Sequence, residues 1–573
     1  MDPGERRREA ARTAKVGFLL IANVAAVLFL VQALGGEDRG DVAAREATET
    51  APVELAVPGR TQPEGPGADA PRLRVPGSTT ARAIHLASPA SEELVRAAGQ
   101  DPRLAAELDR LVANAVADAR RRSKGKVTAS NTVVALHVYD PATRRELVSR
   151  LADESLRPAS NMKLVTSAAA LVLFGSDWHF ETRIEAAGPV RDGVLHGDLI
   201  VRAGGDPLLD ADGDGQVAHF LTPALQRMKS SAGLRRIEGD LVLDEGSYLE
   251  PGPGPGWPDA SQHWQEHCAL AGGFSANAGC LTAVVKPGRV GAGASSALHP
   301  LDQGLSRKGS VRTAKARSKL NIAVGATATA ATLRGEIPAD VEGWVSRFAH
   351  PDPVELFGDV FRGALKRQGI TLEGKVVRRR GTAAGKHLAS LRTPLTAALI
   401  PIHRDSNNAA ADQLFFALGA AAGGGGTRQG GARAVERALR QLGLSSAGLV
   451  QVDGSGLSRD DRVTARQLVR LLAAVDELEP AQRAAFFDSL PVSGKTGSLA
   501  NRMKEGVARG RVHAKTGWIE GAGALSGIVE TESGGRLCFS ILVDYPRVAG
   551  MNRYCWKPMQ DEICAELARW ESN

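Results

Sequence analysis

Three short patterns carry side chains that fit one chemistry, acyl transfer to a serine. Ser160-Asn161-Met162-Lys163 sets a hydroxyl three residues before an amine. On a helix that spacing puts both on one face, where their polar atoms can meet. A serine hydroxyl is a weak nucleophile until a neighbouring base takes its proton. Lysine can be that base only if its pKa falls well below about 10.4. Burial and a nearby second cation both lower it, and Lys515 of Lys515-Thr516-Gly517 is the candidate cation. Ser406-Asn407-Asn408 adds a second hydroxyl, able to relay a proton between Lys163 and a leaving amine. Asn408 can hold a substrate amide with one donor and one acceptor. Lys515 and Thr516 can grip a terminal carboxylate, and Gly517 lets a strand edge approach the substrate. Ser160 is expected in the first helical turn, where the dipole favours negative charge. The backbone N–H groups of Ser160 and Trp518 are the expected oxyanion donors. Each pattern alone arises easily by chance in 573 residues. The three in this order form a much more specific signal.

Such residues need rigid carriers. Pro158-Ala159 leads into an apolar run ending at Phe174, so the nucleophile opens a buried helix. Val133 to Tyr139, followed by Asp140-Pro141, reads as a buried strand turning into a hairpin. From about Thr182 to Lys386 short alternating runs such as Asp198-Leu199-Ile200-Val201 and Asp240-Leu241-Val242-Leu243 are divided by Gly and Pro, which predicts mostly β structure. From about Thr393 long helical patterns return, with a closing β pair within Val512 to Asp544. Leu104, Leu108, Leu111, Val112 and Ala115 predict one further helix packed on the body.

With these surroundings the chain resembles the D-alanyl-D-alanine carboxypeptidase/endopeptidase family, the class C low-molecular-mass penicillin-binding proteins. The likeness runs over roughly Val127 to Glu566. It rests on Pro158 to Thr166 (PASNMKLVT), Gly204-Gly205-Asp206-Pro207-Leu208 and Ile237-Glu238-Gly239-Asp240-Leu241. Asp453-Gly454-Ser455-Gly456-Leu457-Ser458-Arg459 with Arg462-Val463-Thr464-Ala465 is its most specific part. The resemblance implies an α/β fold, a β-lactamase/transpeptidase-like domain with one or two inserted β-rich domains. The expected divisions are 1–35 signal-anchor or signal peptide, 36–89 disordered linker, 90–181 first part of the catalytic domain, 182–392 insertion, and 393–573 second part. It also implies a serine-type carboxypeptidase acting on peptidoglycan stem peptides, with D,D-endopeptidase action as a further activity. Ser160, Lys163, Ser406 and Lys515 would be catalytic, and Asn408, Thr516, Gly517 and Trp518 substrate-binding. No metal or cofactor is expected, and β-lactams would acylate Ser160. A non-catalytic envelope protein and a β-lactamase or esterase are the competing readings.

A second triplet, Lys495-Thr496-Gly497, lacks the apolar Gly-rich strand that follows Lys515, so it reads as a loop near the cleft mouth. Asp210 to Gly215 looks like half a calcium loop, but Leu221 stands where a bidentate Glu is needed; a solvated acidic loop and a cation site both remain open. His263, His267 and Cys268 lack a convincing fourth zinc ligand. Cys268 with Cys280, and Cys555 with Cys564, could pair outside the cytosol, leaving Cys538 odd.

Composition bounds the rest. Hydrophobic residues are 43%, charged residues 24% and net charge is +7, ordinary for a globular protein and too mild for a general nucleic-acid binder. Arg307 to Lys319 holds six of the cations and no anion; it reads as a solvated loop, or less readily as a contact to an anionic envelope polymer. Five cations precede the apolar run Val16 to Leu34, which at 1.5 Å per residue spans about 28 Å. That predicts an extracytoplasmic body, either anchored in the inner membrane or released from a cleaved signal.

Overall fold

A computed structural model describes residues 100–209, 221–249 and 251–571. The amino-terminal segment, its linker and the acidic loop from Asp210 lie outside the described residues. No helix among those described is long and apolar enough to cross a membrane.

The central sheet has five strands: β1 (Val133–Asp140), β2 (Arg145–Arg150), β5 (Val512–Ile519), β6 (Ala522–Glu530) and β7 (Arg536–Asp544). Their order is β5-β6-β7-β1-β2, so strands from both ends of the chain share one sheet. The expected closing β pair is a three-stranded antiparallel meander: Gly521 at φ +87 closes one turn and Gly534 at φ +86 the next. The strands are apolar on both faces because both are covered. Leu537, Phe539, Ile541 and Val543 meet helices α1 (Pro102–Arg122) and α5 (Lys557–Arg569) in one core. Cys538 and Leu542 enter the other core with α2 (Met162–Phe174), α3 (Asn408–Ala421) and α4 (Ala465–Asp476). The edge strand β5 carries Lys515 to Trp518.

Between these parts the chain leaves through β3 (His179–Ala187) and returns through β4 (Lys386–Pro394), which pair antiparallel. Glu181 faces Arg392 across that ladder, so the ends of the intervening segment lie side by side. This segment is largely strand but also holds helices Thr222–Ala232 and Pro353–Arg367. The second was legible: Asp352 caps the Val354 and Glu355 amides, and Pro353 opens the helix.

The proposed cysteine pairs are absent: all five cysteines are free and buried. Cys555 and Cys564 stand nine residues apart along one continuous helical stretch. At 1.5 Å per residue that is about 13 Å, beyond disulfide reach.

Candidate active site

Ser160 does not open an α-helix directly. It sits in a single 3₁₀ turn, Ala159–Asn161, that runs into α2. Ala159 holds φ +47, a left-handed conformation rare for a residue with a Cβ. The turn is clamped by Gly456, whose φ is +78 and whose Cβ, if present, would lie 1.8 Å from the Ala159 carbonyl oxygen. Gly456→Ala is therefore expected to cost at least about 2 kcal/mol, from a left-handed Cβ plus the overlap. Urea denaturation and the acylation rate together check it: both should suffer, since the same contact shapes the nucleophile turn.

One helical turn on, Lys163 is fully buried. Its Nζ donates to Ser160 Oγ (3.1 Å), Asn408 Oδ1 (2.6 Å) and the Ser455 carbonyl (2.8 Å). Burial lowers its pKa to about 8, while the carboxyls of Asp412, Asp453 and Asp461 pull it back up. Lys515, expected to depress Lys163, is itself driven well below the usual lysine range by burial and by Lys163.

Lys515 Nζ donates to Ser406 Oγ (2.8 Å) and to the Thr516 carbonyl (2.8 Å). Ser406, at φ +55, thus contacts Lys515, while Lys163 meets Asn408. Asn408 is engaged at both ends, because its Nδ2 donates to the His267 carbonyl (2.8 Å). Its expected grip on a substrate amide is left to the second hydrogen on Nδ2. Ser160, Lys163, Asn408, Ser406 and Lys515 therefore form one chain of contacts.

Strand parity orients the K-T-G edge. Val512 and Ala514 turn their backbone groups away from β6, toward Ser493 and Pro491. Residues two and four further on, Thr516 and Trp518, keep that direction, so the Trp518 N–H lies on the free edge. Gly517 packs under the nucleophile turn: a Cβ there would stand 2.8 Å from the Pro158 carbonyl oxygen and 3.2 Å from the Ser160 nitrogen. Buried Asn161 fixes this edge from behind, spanning the Ser526 hydroxyl and the Lys515 carbonyl, each at 2.7 Å.

Sequence reasoning missed what supports Lys163. Asp453 accepts from the Ser455, Gly456 and Ser458 amides (3.1, 2.6 and 2.8 Å) and from Trp257 Nε1 (3.0 Å). Asp412 takes the Gly454 amide (2.8 Å). The two carboxylates fold the Gly454–Ser458 turn so that the Ser455 carbonyl points at Lys163. The available signal was Asp453 ahead of Gly-Ser-Gly, since aspartate often bonds backbone amides just downstream. His263 and His267 build no metal centre. His263 Nε2 faces the Pro258 carbonyl, and burial lowers the His267 pKa. No cluster of metal-ligating side chains occurs among the described residues.

Residues 123–557 match the pattern of the "D-Ala-D-Ala carboxypeptidase 3 (S13) family". The chain belongs to that family. It is 35% identical over 460 residues to a D-alanyl-D-alanine carboxypeptidase of Actinomadura sp. (strain R39), covering 76% of this chain and 80% of the relative. It is 26% identical to D-alanyl-D-alanine carboxypeptidase DacB of Haemophilus influenzae, over 66% of this chain and 79% of that one. The fold is similar to penicillin binding protein 4 of Haemophilus influenzae, with a TM-score of 0.67 and 22% identity over 79% of this chain and 99% of that one. As an S13 member the chain is a D-alanyl-D-alanine carboxypeptidase, a hydrolase of bacterial cell-wall peptides that works outside the cytoplasm.

Proposed function

We propose that this S13 enzyme cleaves the terminal D-alanine from peptidoglycan stem peptides through an acyl-enzyme on Ser160. The observation that carries the reading is the Lys163 contact set. When Nζ is neutral it keeps two hydrogens, and two fixed acceptors, Asn408 Oδ1 and the Ser455 carbonyl, take them. Its lone pair is then left for the Ser160 hydroxyl at 3.1 Å. Ser160 Oγ attacks the carbonyl of the penultimate D-alanine and its proton passes to Lys163. The Ser160 and Trp518 N–H groups hold the oxyanion, acting where negative charge develops. As the C–N bond breaks, the departing amine takes a proton from the Ser406 hydroxyl, which Lys515 backs. Water, deprotonated by the same base, then releases the shortened peptide and frees Ser160.

Thr516, Gly517 and Asn408 line the substrate in this reading. β-Lactams acylate Ser160 as mimics of the D-alanyl-D-alanine end. The test is D-alanine release from a pentapeptide ending in D-alanyl-D-alanine, with a fluorescent penicillin as a second probe. Wild type inactive in both assays overturns the proposal. Endopeptidase action on D-alanyl–diaminopimelate cross-links is the further activity; mass spectrometry of digested cross-linked muropeptides tests it. The adjacent ends of β3 and β4 support an insertion within one catalytic domain over 182–392. The charged-then-apolar amino terminus supports delivery across the inner membrane and tethering there, which fractionation of the full chain tests.

A further inference from the structure

The second triplet, Lys495-Thr496-Gly497, has no part in the chemistry above, yet its loop runs along the same strand edge. Val492 bridges His513, and the Ala514 amide donates to the Pro491 carbonyl. Further along, the exposed Ser498 places its Oγ 2.7 Å from Thr516 Oγ1. On its other side the loop presses on the turn that carries Ser406. Gly497 has φ +56, and a Cβ on it would meet the Arg404 carbonyl oxygen at 2.8 Å. The loop is thus wedged between the Ser406 turn and the Thr516 strand. It delivers one extra hydroxyl to the cleft.

Two adjacent hydroxyls spend only one proton on each other. Faced with an anion, both can turn and donate, one to each oxygen of a carboxylate. We propose that Ser498 and Thr516 together hold the free carboxylate of the substrate's terminal residue. Ser498 then determines specificity for a free acid over an amide or a longer peptide. This deepens the proposed function and rests on it. It also gives the second triplet's loop a use that needs neither Lys495 nor Thr496.

The test compares a pentapeptide ending in free D-alanyl-D-alanine with its C-terminal carboxamide, following the shortened tetrapeptide by chromatography. For Ser498→Ala we expect KM for the free acid to rise about tenfold or more, the weight of a hydrogen bond to a charged group. Its kcat should stay within about twofold, and the carboxamide should change less than about twofold. Ser498→Thr, which keeps the hydroxyl, should restore KM, and Lys495→Ala should leave it alone. Equal KM losses on both peptides, or none on either, overturn the inference while the proposed function stands. A wild type that releases no D-alanine overturns both.

Discussion

Ser160→Ala should lower kcat/KM for D-alanine release by about 10⁴-fold or more and abolish labelling by a fluorescent penicillin. No other group in the cleft can replace the lost oxygen. Ser406 Oγ is held by Lys515. The next hydroxyl along α2, Thr166, donates to the Gly454 carbonyl deep in the core. The substitution removes an atom that is only part-buried, and it leaves the Ala159 and Gly456 clamp intact. The fold should therefore persist, and a melting temperature close to wild type separates lost chemistry from lost structure. Continued acylation of Ser160→Ala would place the nucleophile elsewhere.

What could be read from the sequence, and what could not, divides along a physical line. Ser160 and Lys163 were legible because a three-residue spacing has local geometric meaning on a helix. The buried strands were legible as continuous apolar runs, covered on both faces. The pairing of Ser406 with Lys515 was not, because it joins residues 109 apart in sequence. Asn408 was assigned to the substrate; its position instead lets it hold Lys163, a contact across 245 residues. The identity of the catalytic triplet was legible for a clear reason. Lys515 to Trp518 lie on a strand paired along its length to Ala522–Glu530, and Lys495 lies on an exposed loop. The carboxylates behind Lys163 were illegible because burial, not residue type, makes them matter. The quoted Asp453 to Arg459 motif turns out to serve position: it aims one carbonyl and seats one glycine.

That support makes the behaviour of Lys163 calculable. With its pKa at about 8, only about a tenth of Lys163 is neutral at pH 7. The base must be neutral to accept the Ser160 proton. The acylation rate should therefore climb through the region around pH 8, by close to tenfold from pH 7 to well above 8, and fall about tenfold per unit below it. The sign follows from the group: a lysine lowered by burial gains its active, uncharged form as pH rises. Stopped-flow acylation by a β-lactam across pH 6 to 9 measures this limb. Lys163→Ala should lower the rate by about 10³-fold or more and flatten the limb. Lys163→Arg keeps the length and the charge but cannot give up its proton, so it should be as inactive as the alanine variant. An arginine variant that acylated with the wild-type pH profile would show that the residue acts by charge, and would assign the proton transfer to another group.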